Sequence, residues 1–503
     1  MPSVRSIFSR GTLGRFGGAT MLLAGALLIG RASGIVREFL LAAKLGTSAQ
    51  ADYAVVLLTL PDLFVNLLIA GGLSAVLVPQ FRQCNDDQRR QLFWRVSLIA
   101  FAVFGIIAGI SIIAPEIIFG LLVPGLRAPV DRIGLLAIAL AASAIPLSAL
   151  SGVSGSYLNA EDRYFMVGLG TLMFNMAIIA ALLFATNGSP MLVSIGVGVF
   201  AGASVRWISQ MLVLPGEAWH FRGLRRDAIA IQWGAFFAAV LATASTLLAP
   251  VVIRAAASAT GVGAVASLNY AQKLVELPTA VLFSAISTVA LTRMSRAHVE
   301  KGRDAARQQL SNGLQRVLLL ALPATVGSVF FAVPIVQITY GYGAMSASGL
   351  RTVAALFGIG ALALPAAGFN LLFMAYLNAT GRSVLVFRAT LTSLLALLIF
   401  LLPGISQESL DLLVWASVMS QMFLAVLFLL VVRRSDQLRW LDLSTIIVSR
   451  EWVRRLILAI AIMLLGVALD AFLGVSEPFA RLAIMAAAFA LAFLASSGSR
   501  DAS

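Results

Sequence analysis

Residues Gly30–Pro61, GRASGIVREFLLAAKLGTSAQADYAVVLLTLP, decide how the rest of the chain is read, because they set Arg31, Arg37, Glu38 and Asp52, with Asp62 next in line, in or beside apolar helical stretches. An arginine near the middle of a membrane-spanning helix costs at least about 2.5–3.5 kcal/mol unless it faces a hydrated or paired interior. The stretch therefore predicts that Arg31 and Arg37 line a cavity. Six residues separate them along the chain, which on a helix is about 120° of turn and roughly 9 Å of rise, so they suit one wide cavity and not a narrow face. No carboxylate lies within a turn of Arg31. Arg37 with Glu38 also reads as a structural charge cluster near the outer end of the span. Gly30 and Gly34 form a small-xxx-small pair that admits a neighbouring helix at close range.

Outward from that stretch, the 503 residues are 60% hydrophobic and 12% charged, against about 25% charged in soluble domains. Apolar runs of about 20 residues recur between short polar breaks, where a transmembrane barrel would alternate over about 10 residues. The expected fold is an all-α polytopic membrane protein with about fourteen transmembrane helices. They are placed near 19–43, 53–81, 92–119, 133–158, 164–186, 190–214, 229–257, 264–292, 314–340, 350–377, 384–403, 408–432, 453–474 and 477–497. The first apolar run follows Arg5, Arg10 and Arg15 as a signal peptide would, but it continues without a cleavage site and is kept as a span.

A net charge of +14 does not imply nucleic acid, because the basic residues sit in short loops between spans. Alternate loops hold 26 lysines and arginines on one side and 5 on the other. By the positive-inside rule both termini are cytoplasmic. The remaining basic residues, Arg31, Arg37, Arg206, Arg254 and Lys273, fall inside spans. Cys84 is the only cysteine, which excludes an intrachain disulfide and a cysteine metal cluster.

Two halves repeat. Arg37, Tyr53 and Pro61 recur as Arg254, Tyr270 and Pro278 at an offset of 217; Pro146, Tyr157-Leu158-Asn159-Ala160 and Arg163 recur as Pro365, Tyr376-Leu377-Asn378-Ala379 and Arg382 at an offset of 219. Each copy holds six spans, an even number, so both enter the membrane the same way and are related by a pseudo-two-fold along the membrane normal. The expected organisation is an N-lobe at 1–218, a C-lobe at 219–434, and a basic linker with an accessory helix pair at 435–503. Substrate is expected between the lobes. The linker RRSDQLRWLDLSTIIVSREWVRR reads as an amphipathic helix on the cytoplasmic surface.

Asn269, Lys273 and Glu276 share one face of span 8 ahead of Pro278; Thr59, Asp62 and Asn66 take the same spacing around Pro61 in span 2. Lys273 and Glu276 equally read as an i, i+3 pair that neutralises itself. Catalysis has little support: His220 and His298 lie in basic loops, and no Walker A sequence occurs. No cofactor, no metal and no enzymatic step are expected. The central cationic cavity is assigned to Arg31, Arg37, Asp52, Asn66, Arg254, Lys273 and Glu276.

RASGIVREFLLAAKLGTSAQADYAVVLLTLPDL, then GGLSAVLVPQF, and NYAQKLVELP in span 8 resemble the MurJ (MviN-type) lipid II flippase family of the multidrug/oligosaccharidyl-lipid/polysaccharide exporter superfamily. The resemblance covers nearly the whole chain. It implies fourteen spans, duplicated six-helix lobes and an extra C-terminal pair. It also implies a cationic cavity lined here by Arg31, Arg37, Lys273 and Asp52, with Glu276 beside Lys273. The implied partners are a lipid-linked diphosphate substrate, membrane lipids and the cell-wall synthesis machinery, with no nucleic acid. Two positions depart from the family pattern: Val65 and Asn66 stand where relatives carry a basic pair, and Lys273 replaces an arginine. Lysine keeps the charge but loses the fork that grips a diphosphate. Other expectations remain open: a flippase for a different polyprenyl-linked oligosaccharide, a multidrug exporter, a membrane-embedded glycan polymerase, or a scaffold.

Overall fold

The computed structural model describes residues 29–67, 73–129, 131–185, 190–216, 233–436 and 450–497, and among them every regular element is helical. In chain order the first part holds α1 (29–45), α2 (Ala49–Leu67), α3 (Leu73–Gln83), α4 (Asp86–Ile113), α5 (Pro115–Leu122), α6 (Arg132–Ala160), α7 (Tyr164–Phe184), α8 (Met191–Val213) and α9 (Trp233–Ala257). There follow α10 (Ala264–Pro278), a π-turn (Thr279–Phe283), α11 (Ser284–Lys301), α12 (Arg303–Phe330), α13 (Ala332–Tyr340), α14 (Ala347–Ala361), α15 (Leu364–Ala379), α16 (Ser383–Ser406), α17 (Leu410–Ser435), α18 (Arg450–Leu473) and α19 (Pro478–Ser497). Among the described residues nine helices are long and apolar enough to cross a membrane, or ten if α14 and α15, bent by 46°, count as one.

Where they are described, the expected spans fall on helical segments, several of them broken; residues 19–28, 68–72 and 229–232 of the first, second and seventh spans lie outside the described residues. The eighth runs as α10, the π-turn and α11, because Pro278 lacks the N–H that would continue the ladder. The ninth splits into α12 and α13, and the tenth into α14 and α15. The linker at 437–449 also lies outside the described residues.

Local chemistry places the helix starts. Asn85 and Gln88 form a capping box, with the Asn85 side chain accepting from the Gln88 N–H at 2.9 Å and the Gln88 side chain accepting from the Asn85 N–H at 3.1 Å. Asp131 caps α6 and Ser409 caps α17 in the same way. The outer face of α4 leaves Phe101, Val103, Ile106 and Ile113 exposed, a surface that only a bilayer covers.

The chain divides into two compact units, 1–44 with 49–247, and 45–48 with 248–503. In the first unit α6 is the central helix, its middle 61% buried. Helix α8 lies against α7 through Gly202, where a Cβ would stand 2.8 Å from the Phe174 carbonyl oxygen, so this approach requires glycine. In the second unit the core gathers Phe283, Leu314, Leu372, Tyr376 and Phe428. The segment 45–48 belongs to that unit: the Tyr270 hydroxyl donates to the Gly46 carbonyl at 3.1 Å, and Gly46 adopts a φ of +57°. The C-terminal pair docks on α12 through Met463 and Met485 over Gly327, while the Trp452 indole donates to the Gln315 carbonyl at 3.2 Å. Arg481 closes the pair onto the buried Asp470, donating from Nε and from Nη2 at 2.7 Å.

Candidate functional site

In the first unit the polar centre grows from α1. Gly30 and Gly34 admit α7, whose Thr171 and Asn175 take up the space that larger side chains would occupy. Asn175 then serves α1 three times. Its amide nitrogen donates to the Gly30 carbonyl and to Ser33 Oγ, both at 3.1 Å, and its Oδ1 accepts from Arg37 Nη1 at 3.1 Å. Arg37 is buried, and its Nη2 donates to Glu38 Oε1 at 2.7 Å. Its Nη1 also stands 3.8 Å from Asp62 Oδ2 on α2. Glu38 is only 1% exposed, so it needs the guanidinium: a buried carboxylate without a partner is among the costliest groups a helix bundle can carry. The double reading of Arg37 thus resolves toward a paired cluster, although the cluster also offers a guanidinium fork suited to phosphate.

Arg31 differs. It is exposed on α1 and makes no ion pair among the described residues. Asp52 opens the first turn of α2, where the helix dipole favours a carboxylate, and it is fully buried. Asn66 belongs to α2 by its backbone; its side chain lies outside the described residues.

In the second unit Lys273 Nζ donates to Glu276 Oε2 at 2.8 Å one turn along α10. The pair is open, with the lysine side chain 30% exposed and the glutamate 60%. Arg254 sits half-buried in the last turn of α9, a favourable place for a cation at a helix C-terminus. Asn269, also on α10, is buried.

Two members of the N-terminal cluster escaped the sequence reading. Asn175 is a lone amide in an apolar span, and a mid-span asparagine is itself a signal of a polar partner. Arg206 was visible as a basic residue inside a span but had no assigned role. It is buried on α8, its stem lies across Gly170 of α7, and its Nε finds no hydrogen-bond acceptor among the described residues. Helix α8 packs on α2, the helix that carries Asp62.

The halves also share a scaffold contact. Ser151 and Ser154 of α6 donate to Gln210 Oε1 of α8, at 3.0 and 2.6 Å; in the second unit Asn370 of α15 donates to Gln421 Oε1 of α17 at 2.8 Å. Ser151 and Asn370 correspond at the repeat offset of 219, whereas Gln210 and Gln421 lie 211 apart, on different turns of their helices. At the loop ends Arg163 donates to the Val213 carbonyl at the close of α8, and its counterpart Arg382 bonds Ser435 and Asp436 at the close of α17.

Among the described residues no group of histidine, cysteine, aspartate and glutamate has the arrangement of a metal site.

The chain is similar to known proteins. The family model described as lipid II flippase MurJ matches residues 41–485. A lipid II flippase MurJ from Burkholderia cenocepacia is 28% identical over 366 residues, covering 68% of this chain and 70% of that one. A probable lipid II flippase MurJ from Rhizobium tropici is 27% identical, covering 68% and 67%. Among solved structures, a lipid II flippase MurJ in an inward closed conformation superposes with a TM-score of 0.79 at 18% identity, covering 94% of this chain and 98% of that one. An inward-facing multidrug resistance MATE family transporter shares the fold at a TM-score of 0.65 and 12% identity, covering 82% and 97%.

Proposed function

Since this chain belongs to the lipid II flippase MurJ family, we propose that it moves lipid II, undecaprenyl diphosphate carrying a disaccharide-peptide, from the cytoplasmic to the periplasmic leaflet of the bacterial inner membrane. Both termini face the cytoplasm in this reading, in keeping with the excess of basic residues in one set of loops. The observation that carries it is the pair of arginines on α1, one exposed and one buried within a paired cluster, in a chain whose family match spans residues 41–485. Arg31, Arg37, Arg254 and Lys273 hold the diphosphate, with Asp52, Asn66 and Glu276 tuning their charge, while the polyprenyl tail stays in lipid beside the C-terminal pair.

Transport then needs no covalent chemistry. The lobes, taken as 1–218 and 219–434, rock about the bound headgroup and expose it to each side in turn. The membrane potential supplies the drive: a negative interior favours an empty cationic site on the cytoplasmic side, by about 2.3 kcal/mol per charge per 100 mV. The cell-wall synthesis machinery, which makes and consumes this lipid, is the natural partner.

Expression of the chain in bacteria depleted of their own lipid II flippase tests the assignment, with restored growth expected and continued lysis overturning it. A second cargo, another polyprenyl-linked oligosaccharide, gains support from Lys273, which presents a point charge already bonded to Glu276 where a fork would grip two phosphates. Restoration of O-antigen export without restored growth under lipid II flippase depletion would select that cargo.

A further inference from the structure

Arg37 has two carboxylates but holds them unequally. Glu38, adjacent in sequence and nearly fully buried, takes Nη2 at 2.7 Å; Asp62 stands 3.8 Å from Nη1, beyond hydrogen-bond range, with its side chain 38% exposed. Glu38 is a fixed partner and Asp62 a loose one. Helix α8, which packs on the α2 that carries Asp62, brings a second cation, Arg206, buried over Gly170 with an Nε that lacks an acceptor among the described residues. The partly exposed Asp62 thus stands 3.8 Å from Arg37 Nη1, on a helix that packs against the helix of Arg206.

We propose that Asp62 is the exchangeable counter-charge of the N-terminal site: it occupies Arg37 when no cargo is present, yields Arg37 Nη1 to an incoming diphosphate, and is received by Arg206. This rests on the proposed reading of Arg37 as a diphosphate ligand. Arg206 is then a positioning residue that touches no cargo and acts only through Asp62. The exchange explains why a cation is buried on α8 with no ion-pair partner inside the usual distance, and why a carboxylate sits beside a site meant for an anion. In the empty site Arg37 and Arg206 are matched in number by Glu38 and Asp62. A neutral cluster avoids the cost of isolated charge inside the bilayer.

The test is binding of farnesyl diphosphate to the purified full chain in detergent, measured for Asp62→Asn, Arg206→Gln, their double variant, and Asp62→Glu. Removing the competing carboxylate in Asp62→Asn tightens binding by roughly two- to fivefold, the range of one partly exposed ion pair. Arg206→Gln weakens binding by a similar factor, because Asp62 then stays on Arg37. The double variant binds like Asp62→Asn, and Asp62→Glu restores wild-type affinity. Gly170→Ala, whose new methyl would stand 2.9 Å from Arg206 Nε, displaces the guanidinium without altering charge and reproduces Arg206→Gln if that variant does not fold. Weaker binding in Asp62→Asn, or an Arg206→Gln effect of equal size in both backgrounds, overturns the exchange, the latter by making Arg206 a direct ligand. If the wild type and every variant ignore farnesyl diphosphate while inorganic diphosphate is also ignored, it is the reading of Arg37 as a ligand that fails.

Discussion

The two halves of the chain share their scaffold and differ in how they hold charge. Tyr53 and Tyr270, Pro61 and Pro278, and Pro146 and Pro365 stand in matching places, and the serine–glutamine contact of α6 and α8 has its asparagine–glutamine counterpart in α15 and α17. The charges do not match. Glu38 corresponds to Ala255 and Asp62 to Thr279, so the second half keeps the arginine of the pattern, Arg254, but loses both of its carboxylates. In the first half charge is cross-linked over α1, α2 and α7; in the second, Lys273 and Glu276 pair within one turn of one helix, largely in the open.

That contrast breaks first at Arg37. Arg37→Ala leaves Glu38 buried without its partner, so it is expected to cost about 3–5 kcal/mol of stability and to abolish transport. Arg254→Ala, at a helix terminus, should lose about 0.3–1 kcal/mol. Detergent thermal unfolding of the two variants, read against wild type, checks this; equal losses would mean that the halves are not differentiated.

A smaller effect is expected at Lys273. The open pair with Glu276 contributes about 0–1 kcal/mol to stability, so its variants should separate by transport and not by abundance. Lys273→Arg is expected to keep most flipping activity, Lys273→Ala to lose several-fold, and Lys273→Glu to lose most of it. Normal flipping by Lys273→Glu would remove the second half from the cationic site.

The smallest effect tests the shared scaffold. Gln210→Leu and Gln421→Leu each remove a buried interhelical hydrogen bond and should cost about 0.6–1.7 kcal/mol apiece. Unfolding temperatures that fall by similar amounts would show that the two interhelical contacts do equal work in their halves.

The sequence reading reached the helices and the Arg37–Glu38 charge cluster because each leaves a local trace: apolar length, and charge where lipid forbids it. It reached Gly30 and Gly34 as a packing surface for the same reason, though not that α7 would be the neighbour. The broken spans were less legible, since Pro278 announces a disturbance but not that a π-turn absorbs it. Asn175 and Arg206 were missed as site residues because their meaning depends on helices 138 residues from Arg37 in one case and on the packing of α8 against α2 in the other. Lys273 and Glu276 had two readings; the structure shows them bonded, which moderates the positive charge expected of the second half.

The account stands most directly on Arg31, exposed on α1 and without an ion-pair partner among the described residues. Removing it leaves no buried charge stranded, so its effect on transport is separable from folding. The measurement is flipping of fluorescently labelled lipid II by the purified chain in vesicles under an imposed potential, negative on the side from which lipid II is taken, for wild type and Arg31→Ala at matched insertion. The account predicts rapid flipping by the wild type and a variant rate no higher than that of protein-free vesicles; lipid II flipping by Arg31→Ala at the wild-type rate would contradict it.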